Sequence, residues 1–125
     1  MTRKLFTFAV MLAFLVVLQA QTPKTVTVEG YIIDNACAGS QSKEPTFGER
    51  VKKHTRSCAL MDPCVTSGYA VFTADAKLLK FDTAGNEKAE ALLKDTETKA
   101  GIAVVVEGTM DGDVIKVTKI TEKTQ

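Results

Sequence analysis

Alternating apolar and polar positions predict a first β-strand over residues Thr25–Asp34. Apolar side chains occupy every second position up to Val28, which is typical of a strand with one buried face. The alternation changes phase at Gly30. Because glycine relieves crowding where a strand bends, this change of phase predicts a kink or a bulge at that position.

Four more strands and one amphipathic helix are predicted in the second half of the chain. The apolar runs Tyr69–Thr73 and Leu78–Phe81 indicate a hairpin. Two further apolar runs on either side of the tight turn Asp111–Asp113 indicate a second hairpin. Between the hairpins, apolar residues at helical spacing predict a helix over Asn86–Lys94, with Asn86 as its N-cap.

Residues 35–67 break the strand pattern and form a long connection between the first two strands. Side chains recurring at spacings of three and four predict a short helix that starts near Gly48. Pro63 and Gly68 predict a second, very short helical turn capped by Asp62. The predicted face of the first helix consists of Val51, His54, Thr55, Cys58 and Met61.

The order of these elements predicts the fold class. A helix between the third and fourth of five strands is the order found in the OB-fold. We therefore expect a mainly β protein, a five-stranded OB-fold-like small barrel with a long Cys-containing loop and helix between strands 1 and 2. A flat sheet made of the same strands is the alternative.

The N-terminal 20 residues have the pattern of a secretory signal peptide. Arg3 and Lys4 precede the run Leu5–Leu18, in which Thr7 is the single polar residue. This run is shorter than the about 20 apolar residues that a membrane-spanning helix needs. We therefore expect residues 1–20 to be removed, and residues 21–125 to form one secreted or periplasmic domain without stable membrane insertion.

The composition narrows the range of partners. The chain of 125 residues has 16 basic and 15 acidic side chains, and 6% of its residues are aromatic. Binding of nucleic acid requires a cationic groove and aromatic platforms, so we predict no nucleic-acid partner.

The single histidine, His54, is not accompanied by a serine nucleophile motif. We therefore predict a non-enzymatic module that binds an unknown small molecule or protein.

Three cysteines, Cys37, Cys58 and Cys64, carry the main functional signal. In an exported chain the odd number leaves one thiol unpaired, intermolecular or bound to a ligand. Antiparallel pairing of the first two strands would place Asp34 and Tyr69 at the same end, with Cys37 and Cys64 just beyond them. A Cys37–Cys64 disulfide is therefore the first prediction, and in the chain-entropy account it would contribute roughly 3–4 kcal/mol to stability.

Two alternatives use the same cysteines differently. His54 and Cys58 are spaced i and i+4, and with Cys37 and Cys64 they would form a Cys3His set suited to tetrahedral zinc. Met61 adds a thioether, which would favour monovalent copper. The second alternative is a thiol redox protein centred on Cys58, whose basic neighbours in sequence would favour the thiolate.

Several motifs of the chain resemble a group of small secreted bacterial proteins with an OB-like barrel and no established activity. In that group a cysteine near the end of the first strand precedes a segment with a histidine and two cysteines. The similarity covers essentially all of residues 21–125 and implies the fold and the export, but no catalytic residues. The chain departs from the group in a longer stretch at Gly39–Glu49 and in the five residues between its last two cysteines. The motifs are Val28-Glu-Gly30, Asp34-Asn-Ala-Cys37, His54-Thr-Arg-Ser-Cys58-Ala-Leu-Met-Asp-Pro-Cys64, Ser67-Gly-Tyr69 and Val106-Glu-Gly108 with the following turn to Asp113.

Overall fold

Five strands and a series of helices make up residues 23–124, the part of the chain that the computed structural model describes. The predicted signal peptide over residues 1–20 lies outside these residues. The strands are β1 (Thr25–Asp34), β2 (Tyr69–Thr73), β3 (Leu78–Phe81), β4 (Ala103–Asp111) and β5 (Val114–Glu122). The helices are α1 (Asn35–Ala38), α2 (Phe47–Lys52), α3 (Arg56–Ala59), α4 (Asp62–Ser67) and α5 (Thr83–Asp95), with a 3-10 turn over Gly39–Lys43.

The strands pair in a closed ring in the order β1, β2, β3, β5 and β4, with β4 returning to β1. All neighbours are antiparallel except β3 and β5, which are parallel. Helix α5 lies between β3 and β4 in sequence. The expectation of a mainly β fold of five strands, with a helix after the third, is therefore confirmed. The predicted bounds of β1, β2 and β3 also match the structure.

The change of phase at Gly30 has a structural cause. Residues 25–31 of β1 pair with β4, whereas residues 30–34 pair with β2, so Gly30 lies where the strand is shared between two neighbours. A Cβ atom on Gly30 would collide with the carbonyl oxygen of Phe72. The pairing of β1 shows no register shift, and the shift lies instead between β4 and β5, where Thr118 is skipped between the partners of Glu107 and Gly108. The alternative of a bulge at Gly30 is therefore wrong, and close backbone approach explains this glycine.

Two apolar clusters hold the connection between β1 and β2 against the strands. The larger one fills the ring and includes Tyr69, Val104 and Leu93. The smaller one lies where α1 and α2 pack on β1 and β2, and there Phe47 meets Phe72 edge to face with ring centroids 4.9 Å apart. The long connection is thus part of the packed domain, because its own apolar side chains cover one face of the sheet.

The single helix predicted from near Gly48 is wrong, because the segment forms two helices separated by extended backbone. Thr55 makes an isolated antiparallel bridge with Ala100, and its side chain caps α3 by accepting a hydrogen bond from the Cys58 amide. This long-range pairing ends the helical run. As a result Val51 is fully buried while Met61 is 56% exposed, so the two do not share one helical face.

Two predicted helix caps are also corrected. Helix α5 begins at Thr83, and its cap is Asp82, four residues before the predicted cap Asn86. Asp82 Oδ1 accepts hydrogen bonds from the amides of Gly85 and Val117, so it serves the helix and β5 together. In α4 the cap is Met61 rather than Asp62, whereas Pro63 near the start and Gly68 at the end are as predicted.

Candidate metal centre

The three cysteine sulfurs lie together, all within 4.8 Å of one another. They come from three different helices of the connection, with Cys37 in α1, Cys58 in α3 and Cys64 in α4. Cys64 is buried and the other two are partly buried. The cluster sits next to the paired ends of β1 and β2, where Asp34 is opposite Tyr69 as the sequence predicts.

Hydrogen bonds at the end of β1 fix α1 against α4. Asp34 caps α1, since its Oδ2 accepts a hydrogen bond of 2.8 Å from the Cys37 amide. Asn35 donates from its backbone to the Gly68 carbonyl and from its side chain to the Ser67 carbonyl. The Ala36 amide donates to Ser67 Oγ at 3.0 Å. These contacts bring Cys37 to the helix that carries Cys64.

Helix α3, which carries Cys58, is anchored to the rest of the domain at both ends. The Arg56 amide donates to the Lys99 carbonyl at 2.8 Å, and its guanidinium donates to the carbonyls of Leu93 and Lys94 at the end of α5. The Tyr69 hydroxyl donates to the Ala59 carbonyl at 2.8 Å. The position of Cys58 is therefore set by contacts with β2, α5 and the segment that follows α5.

A buried carboxylate and the histidine lie beside Cys37. His54 Nε2 donates a hydrogen bond of 2.8 Å to Asp34 Oδ1, and Asp34 is 0% exposed. Burial alone would raise the pKa of Asp34, but hydrogen bonds from His54 and Cys37 outweigh it and lower the pKa to about 2. An ionised carboxylate only accepts hydrogen bonds, so the proton lies on Nε2, and in a neutral ring Nδ1 is then free of hydrogen.

Asp34, Cys37 and His54 form a second group whose ligand atoms lie within 4.8 Å of one another. Cys37 is shared by this group and the three-sulfur group. The residues of the predicted Cys3His set are thus brought to one region, with His54 on the Asp34 side of Cys37. Met61, the predicted thioether, is largely exposed.

The surroundings of Cys37 and Cys64 raise the pKa of both thiols. Burial, followed by the neighbouring Asp34 carboxylate, raises the pKa of Cys37 to about 12. Burial and the same carboxylate also raise the pKa of Cys64. Reactive cysteines have a lowered pKa beside positive charge. Arg56, one of the basic neighbours expected to act on Cys58, is bound to the α5 carbonyls instead. Cys37 and Cys64 therefore lack the lowered pKa of exchange-active thiols, and the redox alternative centred on Cys58 stays a prediction.

All three cysteines are free thiols in the structure. The predicted Cys37–Cys64 disulfide is therefore not formed there, and the pairing stays a prediction because the two sulfurs are neighbours. Asp34 is the site residue that sequence reasoning missed. Its signal was an aspartate at the last position of a predicted strand, three residues before a cysteine, which is the spacing of a helix N-cap and its N3 amide.

Comparison with protein-family models, with curated protein sequences and with solved structures finds no match for this chain. Within residues 23–124 no helix combines the length and the hydropathy required to cross a membrane.

Proposed function

We propose that this protein binds one thiophilic metal ion, zinc or monovalent copper, through the sulfurs of Cys37, Cys58 and Cys64. The observation that carries the proposal is the mutual approach of the three sulfurs to within 4.8 Å. In a tetrahedral zinc site with Zn–S bonds of about 2.3 Å, neighbouring sulfurs are roughly 3.8 Å apart. Contraction by about 1 Å or less would therefore convert the cluster into a metal site. Thiolate ligands also suit monovalent copper.

His54 and Asp34 support the zinc form of this proposal. A histidine that ligates a metal usually donates its other ring N–H to a carboxylate, which fixes the tautomer and the orientation of the ring. His54 already makes this contact through Nε2. Its Nδ1 is then the ring atom available to a metal ion at Cys37, and His54 would have to move toward Cys58 and Cys64 to complete a Cys3His set, with Asp34 as the positioning residue.

The proposal extends to the fold and the location of the protein. We infer an OB-fold-like barrel, supported by the ring of five strands and by α5 between the third and fourth strands. We infer export to the periplasm or the medium from the signal-peptide pattern of residues 1–20. The protein would then be a secreted, non-enzymatic metal-binding module with a small molecule or another protein as its partner, and without a nucleic-acid partner.

Titration of the purified, reduced protein with Co2+ tests metal binding. Thiolate-to-cobalt charge-transfer bands should grow until one equivalent is bound, and zinc should displace the cobalt. Serine at Cys37, Cys58 or Cys64 should weaken the binding and lower the band intensity. The matched control is Thr66→Ala, which changes an exposed residue of the helix that carries Cys64. Absence of a charge-transfer band in the fully reduced protein would contradict the proposal.

The disulfide is the competing function, because the same proximity brings Cys37 and Cys64 together. Counting thiols and metal in protein recovered from an oxidising compartment separates the two. Three thiols with one bound metal ion support the metal site, whereas one thiol without metal supports the disulfide. In the second case Cys64→Ala should lower the melting temperature of the oxidised protein.

A further inference from the structure

A cavity of about 320 Å³ opens beside Cys37 and His54. Its volume is at the lower end of the range of about 300–1,000 Å³ that is common for small-molecule sites. Of the three clustered sulfurs, Cys37 alone belongs to its wall. The lining residues are Ile33, Ala36, Cys37, Gln41, Phe47, Arg50 and His54.

The wall of this cavity has an apolar part and one fixed positive charge. Ile33 and Phe47 are buried and supply the apolar surface. Arg50 is the one lining side chain within the described residues that is always charged, and its guanidinium carbon lies 5.7 Å from the centre of the Phe47 ring.

The orientation of Arg50 is set by two hydrogen bonds of its guanidinium. Nη1 donates to Gln41 Oε1 and Nη2 donates to Glu44 Oε2, both at 2.7 Å, and the second contact is an ion pair between partly exposed side chains. A guanidinium has five N–H donors, so these contacts leave others for a further acceptor. Arg50 is therefore held in the wall with remaining capacity to bind an anion.

We propose that the cavity admits a small thiol bearing a carboxylate, whose sulfur binds the metal ion next to Cys37 while its carboxylate binds Arg50. The inference rests on the metal site proposed above. Three protein sulfurs leave one position of a tetrahedral ion for a fourth ligand. His54 lies outside the three-sulfur group, so an incoming thiol competes with it for that position. On binding, the S–H bond breaks and its proton passes to solvent, the sulfur-metal bond forms, and any bond between the metal and His54 breaks.

With the small thiol in the place of His54, the centre would be an exchange site rather than the closed Cys3His site. Structural zinc sites have four protein ligands, whereas sites that act on substrates keep an exchangeable position. The pairing of carboxylate and guanidinium would orient the small thiol in the cavity.

Two thiols of similar size test the inference on the cobalt-loaded protein. Mercaptopropionate carries a carboxylate and mercaptoethanol does not. Both should shift the charge-transfer bands saturably, with mercaptopropionate binding about tenfold more tightly because of its charge-assisted contact. Arg50→Gln should remove that preference. Lys53→Gln, which removes an exposed charge of the same sign outside the cavity wall, should keep it.

Filling the cavity supplies an independent test. Ala36→Phe places a large side chain in the wall, so it should weaken the binding of both thiols. Cobalt-loaded protein whose bands do not respond to either thiol, or merely fade as the metal is stripped, would overturn the inference and leave the metal site standing. Equal preference in the Arg50→Gln and Lys53→Gln variants would also overturn it. Failure of cobalt to bind before any thiol is added would remove the metal site and the cavity ligand together.

Discussion

The hydroxyl of Tyr69 joins the ring of strands to the helix that carries Cys58. Tyr69 lies in β2 and is 1% exposed, and its hydroxyl donates to the carbonyl of Ala59, the last residue of α3. Tyr69→Phe removes this hydrogen bond while the ring stays in the core. The substitution therefore measures how far the sulfur cluster depends on its anchor in β2.

The expected loss of unfolding free energy follows from the burial of Tyr69 and Ala59, the two residues that share this hydrogen bond. Ala59 is also 1% exposed, so its carbonyl would lose its side-chain partner in a place with little access to water. Leaving a buried polar group unsatisfied costs about 1–3 kcal/mol. Because phenylalanine keeps the volume of the ring, the contribution from a cavity is small. We expect the free energy of unfolding to fall by ~1–2 kcal/mol, which in a domain of about 100 residues lowers Tm by roughly 4–16 °C.

Urea unfolding of the metal-free, reduced protein is the appropriate assay. The midpoint of Tyr69→Phe should fall while the slope with denaturant stays unchanged, since the surface exposed on unfolding is the same. The Tyr31→Phe variant, which changes the partly buried tyrosine of β1, is the control and should unfold closer to the parent. Cobalt affinity should also decrease in Tyr69→Phe, because α3 loses one of its anchors. A Tyr69→Phe midpoint equal to that of the parent would refute this account of the anchor.

Two further predictions concern the strands and the alkaline limit of stability. Gly30→Ala should destabilise the fold by ~2–3 kcal/mol in urea unfolding, because its Cβ would meet the Phe72 carbonyl. The control Gly48→Ala, whose Cβ would lie 3.6 Å from the Phe72 ring, should be neutral or stabilising. Equal effects of the two substitutions would disprove the close approach at Gly30. Burial, then the charges of Glu90 and Asp34, raises the pKa of Tyr69 to about 12 from the usual value. The folded protein thus favours the neutral phenol, and its contribution of ~3 kcal/mol is complete below pH ~10 and is lost between pH ~10 and ~12. In a Tyr31→Phe background, tyrosinate absorbance should appear near pH 12, together with loss of structure, and titration near pH 10 in the folded protein would disprove it.

The strands were predictable because their signal is local. Period-two alternation over Thr25–Asp34, and the two apolar runs that form β2 and β3, depend on side chains a few residues apart. The order of elements then predicted the ring of five strands with its helix. Even the phase change at Gly30 marked a real feature, although its cause is the close approach of β2 and not a bulge.

The helices of the connection were less predictable because distant residues decide where they end. The bridge between Thr55 and Ala100 divides one helical pattern into α2 and α3. Asp82 is a better cap for α5 than Asn86, since it also accepts a hydrogen bond from Val117 in β5. Both contacts join residues that are distant in sequence, so the pattern of a short segment does not reveal them.

The cysteine cluster was predictable in part, less fully than the strands and better than the helices of the connection. The register of β1 and β2 was sufficient to bring Cys37 and Cys64 together, because Asp34 and Tyr69 are opposite each other. The position of Cys58 depends instead on the anchors of α3 in α5 and β2, which are 10 to 38 residues away in sequence. Sequence spacing therefore gave the set of cysteines but not the side of Cys37 on which His54 lies.

The buried carboxylate of Asp34 beside the cysteine cluster is consistent with the proposed binding of a cation there. Asp34 is completely buried, and removing a carboxylate from water costs several kcal/mol unless partners compensate it. Its partners are the Cys37 amide and one ring nitrogen of His54, and the thiols of Cys37 and Cys64 hold their protons more tightly in its presence. The proposed metal ion among the three sulfurs would add a further attraction for this carboxylate.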